Sequence, residues 1–245
     1  MTAIYKREIR AYFTSPIGYV FIAVYLALSG FLFSLYTVQY SINGMGADIG
    51  GYYSMLLFVL SVVLPLLTMK SFAEERKLKT EQLLLTAPIS ITGMVMAKFF
   101  AAYTVFAGTY LFSCFDFYVM YAYAADALVV PNVTVTLIGY SIAFLLLGAA
   151  FIAIGIFVSA LTENQMVAAV GTIGLLMIFL LCNFLNSYID IAWIRAILSW
   201  VSVYSRFDNF TVGIFDFSAV LYYASICFVF LFLTVRAFEK RRWEA

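Results

Sequence analysis

GYYSMLLFVLSVVLPLLTMKSFAEERKLKTEQLLLTAPIS, residues 51–90, changes character abruptly at its middle. Residues 51–69 carry no charge and are long enough to cross a hydrocarbon core of about 30 Å, which takes roughly 20 helical residues. Backbone polar groups in lipid must be satisfied within their own segment, so the run reads as a transmembrane helix. It ends where Lys70, Glu74, Glu75, Arg76, Lys77 and Lys79 crowd together. Such a density of charge belongs in water or at the headgroups.

Working outward, apolar blocks of similar length recur at residues 17–40, 91–123, 134–160, 166–188 and 218–235, making six with the first. Twelve of the fourteen basic residues lie at the N-terminus, in the gap after residue 69, at Lys98 or at the C-terminus; only Arg195 and Arg206 lie opposite. The positive-inside rule puts both termini and the 70–90 gap in the cytoplasm. The expected fold is therefore an all-α membrane protein of six transmembrane helices, one domain over residues 1–245 with no separate soluble part. The first block is too long for a signal-peptide core and is expected to stay in place. The chain is 65% hydrophobic and 11% charged, with a net charge of +1. No basic surface of the size that nucleic acid needs is available.

Several chemistries lack their residues. Histidine is absent, and Cys114, Cys182 and Cys227 are scattered inside apolar blocks, so no metal-ligand set is visible and no catalytic residue is assigned. No GxxxxGK[ST] sequence occurs, so the chain has no nucleotide-cradling loop of its own.

Ahead of the first block, Tyr5, Ile9, Tyr12 and Phe13 share one arc of a helix, and Lys6, Arg7 and Arg10 share the adjoining arc. That pattern predicts an amphipathic helix lying on the bilayer, with its rings toward lipid and its cations toward headgroups. Ser15-Pro16 then turns the chain inward. Beyond the fifth block, residues 190–217 mix Trp, Phe, Arg and Asp without a full apolar run, which predicts one or two short helices on the outer face. Tyr19, Tyr36, Tyr40, Tyr52, Tyr53, Tyr121 and Tyr123 cluster near block ends and read as interfacial belts. Ser141, Gly148 and Gly155 recur every seven residues with Ser159 continuing the stripe, and Gly171 and Gly174 share a face with Val167 and Ile178. Small residues allow close helix approach, either within the chain or between subunits. Asp116 is the one ionisable residue well inside a block; it either faces a transport path or reaches the outer interface. A charge-poor interior suits a hydrophobic or lipid-like substrate better than an ion.

The gap itself is expected to be helical. Ser71 and Glu74 have capping-box spacing. Glu75–Lys79 and Lys77–Glu81 are i,i+4 pairs. Thr80 can cap a second short helix over residues 81–86, stopped by Pro88. Leu83, Leu84 and Leu85 along it ask for a partner surface or dip back into the interface.

These residues resemble the signature of ABC-2 type transporter permeases: paired Glu, a basic turn, then Thr80-Glu81 with Leu83, Leu84 and Pro88 following. The branch of the gliding-motility permease and related bacterial exporter subunits is the most similar. Leu64-Pro65-Leu66-Leu67-Thr68-Met69, Leu161-Thr162-Glu163-Asn164-Gln165 and the ending at residues 235–243 extend the likeness over nearly the whole chain. The resemblance implies a multi-pass permease of the bacterial plasma membrane that pairs with a second permease, identical or related. Separate cytoplasmic subunits would bind ATP and Mg, so this chain would be no enzyme. It makes the segment containing Glu74, Glu75, Arg76, Thr80, Glu81, Leu84 and Leu85 the coupling helix on the ATPase. One position departs: the family usually has Gly before the Thr, and here Lys79 stands there. Gly would permit a break with positive φ, so two helices or one continuous helix remain open. A membrane scaffold that anchors an ATPase, and an ion-driven transporter, are the rival classes.

Overall fold

Ser15 and Pro16 set the first corner. Helix α1 (Thr2–Thr14) stops at Ser15, whose backbone is extended at φ −96° and ψ 151°, and Pro16 opens α2 (Pro16–Phe33). At a helix start the missing proline N–H breaks no helical bond. The corner is tight: a Cβ on Gly18 would collide with the Tyr12 carbonyl oxygen. The structure, a computed structural model, describes residues 2–43, 47–80, 90–123, 133–186, 191, 193, 195, 202–208 and 217–244.

The first span ends in a π-helical stretch, Ser34–Gln39, and a last turn, Tyr40–Ile42. Asp48 then reaches back with its N–H to the Tyr36 carbonyl at 3.0 Å, and its carboxylate accepts from the Gly51 N–H at 2.8 Å. Those bonds cap α3 (Ile49–Thr68), which runs on through Pro65. A short helix, α4 (Ala73–Lys77), follows. The expected single block at residues 91–123 is two helices, α5 (Ile91–Ser113) and α6 (Phe115–Tyr123), parted by a turn at Cys114. Then come α7 (Val133–Leu161), α8 (Gln165–Asn186), α9 (Val203–Asp208) and α10 (Phe217–Glu244). Every regular element among the described residues is helical, and six helices are long and apolar enough to cross a membrane.

Three spans form the centre. The second, third and fourth keep more than half of their residues inside the protein, whereas the first, fifth and sixth keep a third or less and face outward. Hydrophobic burial does not drive helices together in lipid, so close approach and cross-helix hydrogen bonds must do so. The α7 stripe supplies both. The Tyr110 hydroxyl donates to Ser141 Oγ at 2.8 Å, and the Tyr53 and Tyr110 hydroxyls lie 2.9 Å apart. Gly148 lies against the Phe106 ring and Gly155 against Thr68. The first of the two small-residue stripes is thus used within the chain. The second is used only in part: Gly171 lies close against Val158, but a Cβ on Gly174 would meet nothing, and Val167 and Ile178 beside it are exposed.

Rings fill the half of the bundle far from the termini. Tyr53 stacks on Tyr140 at 4.7 Å, Tyr110 packs on Phe144 at 4.9 Å, and α9 inserts Phe207 against Tyr140 at 5.5 Å. Tyr52 and Tyr53, expected in an interfacial belt, are instead fully buried, because α9 and α6 cover their end of the bundle. Tyr19 and Tyr40 do face outward. α9 is one short helix in the connection where one or two were expected; the rest of that connection lies largely outside the described residues.

Candidate functional site

The bundle's charged end is organised around Lys98. Its side chain is only 3% exposed, two turns into α5, where a lone ammonium would be costly. All three of its donors are used: on the Ser71 carbonyl at 2.6 Å, on Glu75 Oε1 at 2.9 Å and on Glu8 Oε1 at 3.3 Å. The Phe72 ring lies 4.9 Å from the same nitrogen. Arg7 Nη2 completes the group, bonding Glu8 Oε1 at 2.8 Å and Glu75 Oε1 at 3.1 Å. Two cations and two carboxylates therefore alternate around one centre with no net charge. The hydrogen bond to Glu8 holds the Arg7 guanidinium above its ordinary pKa. A cleft of about 400 Å³ opens beside the quartet between α1 and α4.

The segment leaving α3 is held from every side. Ser159 Oγ, at the end of α7, accepts from the N–H groups of Phe72 and Ala73 at 3.1 and 3.2 Å and donates to the Met69 carbonyl at 3.1 Å. This replaces the expected capping box: α4 begins at Ala73, and the buried Ser71 hydroxyl has no hydrogen-bond partner among the described residues. Phe72 packs on Phe238 of α10 at 4.6 Å. Arg76 Nε pairs with Glu163 at 2.9 Å and its Nη1 donates to the Leu161 carbonyl at 3.0 Å. Arg241 donates to the neighbouring Ala160 carbonyl at 2.7 Å. Two arginines thus satisfy the last carbonyls of α7, at the end where a helix favours positive charge.

Lys79 has φ +56°, the left-handed conformation. The Thr80 N–H and hydroxyl both return to the Glu75 carbonyl, at 2.9 and 3.2 Å. That closes α4, so helix does not run unbroken through the segment. The break falls where the resembled family carries Gly. Thr80 therefore seals the helix behind it; whether it caps another ahead lies outside the described residues, as do Glu81, Leu84 and Leu85. Glu75 pairs with Arg7 and Lys98 rather than with Lys79, and Glu74 pairs with Lys70 at 3.6 Å.

On α1, the rings expected to face lipid turn partly inward. Tyr12 is buried and its hydroxyl donates to the Leu67 carbonyl at 3.2 Å; burial pushes its pKa up to about 12. The Tyr5 hydroxyl meets Thr104 Oγ1 at 2.9 Å, and Ile9 is half-buried. Phe13, Lys6 and Arg10 remain exposed. The helix thus lies against the bundle, gripping the second and third spans. Asp116 is half-buried in the first turn of α6, away from the charged end.

Sequence reasoning did not single out Lys98 as a centre, nor Glu8 as its partner. The signal was available: a lysine seven residues inside an apolar block needs a counter-charge nearby. Neither protein-family models nor curated proteins give a match to this chain.

Proposed function

We propose that this chain is the membrane permease subunit of an ATP-binding cassette transporter of the ABC-2 type, working as an exporter. Separate cytoplasmic subunits would bind ATP and Mg and push on the segment that follows the second span. The observation that carries this reading is the linkage of residues 71–80 to α1, α5, α7 and α10 through Glu75, Lys98, Ser159, Arg76 and Phe72. A push on a segment joined to so many helix ends moves them together, as a rigid-body switch between two packings requires.

Two further observations agree. The described centre of the bundle is packed with rings, so a substrate path would run between this chain and a second permease. The open face of α8, with Val167, Gly174 and Ile178 exposed, offers a flat surface for that second chain. The bilayer covers the rest of the outward-facing spans.

The test is coupled ATPase activity of the chain reconstituted with its ATPase. Glu81→Ala with Leu84→Ala is expected to abolish the stimulation of hydrolysis by the permease while thermal unfolding stays unchanged. Undiminished stimulation in that variant would remove the coupling assignment.

A further inference from the structure

At the end of the bundle opposite the charged quartet, α8 and α10 part to leave a groove of about 640 Å³. Phe179 of α8 and Leu221, Ile226, Val229 and Phe230 of α10 make it apolar. Leu221 and Val229 are 57% and 48% exposed, so the groove is open to the surrounding lipid. Ser218 and Phe230, both on its wall, are twelve helical residues apart, about 18 Å at 1.5 Å per residue. Half of a hydrocarbon core of about 30 Å is close to that length. The groove runs the depth of one leaflet.

Arg206, from α9, closes the end nearer the surface. Its Nη1 donates to Ser218 Oγ at 2.9 Å, and the guanidinium lies 4.8 Å over the Tyr222 ring. No carboxylate lines the groove, and none pairs with Arg206 among the described residues. A guanidinium carries five N–H donors in a planar fork that matches phosphate oxygens, and here one of them is used on Ser218. The Tyr222 ring fixes the plane of that fork. A half-buried cation at the edge of the hydrocarbon is stabilised by an anion that the bilayer itself can bring.

We propose that this groove holds one anionic phospholipid, its acyl chain along α10 and its phosphate on Arg206 and Ser218. Among the described residues of the lining no carboxylate offers a partner to the ammonium of a zwitterionic headgroup, which favours a net negative lipid. This inference stands on the six-span fold and is independent of the transporter reading.

The experiment uses the full chain in phosphatidylcholine vesicles containing spin-labelled phosphatidylglycerol or spin-labelled phosphatidylcholine, reading the motionally restricted fraction by electron paramagnetic resonance. The wild type is expected to prefer phosphatidylglycerol about fivefold at one site, the ratio that a single basic residue gives with an anionic headgroup. Arg206→Gln removes the preference and Arg206→Lys keeps part of it. Leu221→Trp, which leaves the arginine in place and fills the open side, lowers restricted phosphatidylglycerol independently. Equal restriction of both lipids in the wild type, or a preference that survives Arg206→Gln, overturns the proposal. So does cross-linking of Ser225→Cys to its counterpart in a second copy without any restricted lipid, which would assign the groove to a chain–chain contact.

Discussion

Lys98 shows how one side chain can hold three parts of a membrane protein together. A buried ion pair gains little over apolar packing, but removing one member of it leaves an uncompensated charge and costs about 3–5 kcal/mol. Lys98→Met is expected to lose stability in that range, because Glu8 and Glu75 would then share Arg7 alone. A lowered unfolding temperature in detergent checks this; an unchanged one would show that the quartet carries no strain of charge. Lys79 makes the opposite case. A side chain in the left-handed conformation costs roughly 1–2 kcal/mol, which glycine escapes. Lys79→Gly should therefore raise stability by about 1 kcal/mol, since Lys79 is exposed and its side chain holds no described partner. Both residues were visible in the sequence, Lys98 as a topological charge and Lys79 as a departure from a family pattern. Their roles were not, because each depends on groups far away in the chain or on a backbone angle.

Among elements, α7 does most of the joining. Its residues Ser141, Gly148, Gly155 and Ser159 face α5, α3 and the segment beyond it in turn. The period of seven was legible from spacing alone, since a helix returns to the same face after two turns. Which neighbour it faced was not legible, and neither was the use of Ser159 as a cap for another helix. Ser71 with Glu74 has the right local spacing for a capping box, yet a hydroxyl from a distant helix takes the place. Ser159→Ala leaves two buried N–H groups and one carbonyl without a partner, at about 1–3 kcal/mol for each group so exposed to an apolar surround. Hydrogen exchange at Phe72 and Ala73 is the direct readout: faster exchange there is expected, and unaltered exchange would refute the cap. Gly148→Val should be worse for folding, since a branched side chain has no room against Phe106.

At the scale of the whole molecule, six spans and a charged end were readable because both follow from composition: length of apolar run and placement of Lys and Arg. The central trio of spans and the ring-filled interior were not, because all six blocks look equally apolar and only packing distinguishes a buried face from one in lipid. The turn at Cys114 within the third span was not legible, because nothing in FSCFD, residues 112–116, is a strong breaker. The account's central claim is that residues 71–86 project into the cytoplasm and transmit the force of an ATPase. The most direct measurement is photo-cross-linking from a benzophenone amino acid placed at Leu84 in intact cells, followed by identification of the adduct. The account predicts one adduct, with a cytoplasmic protein carrying a GxxxxGK[ST] loop. Adducts only with proteins on the opposite side of the membrane, or none from any position between 80 and 86, would contradict it.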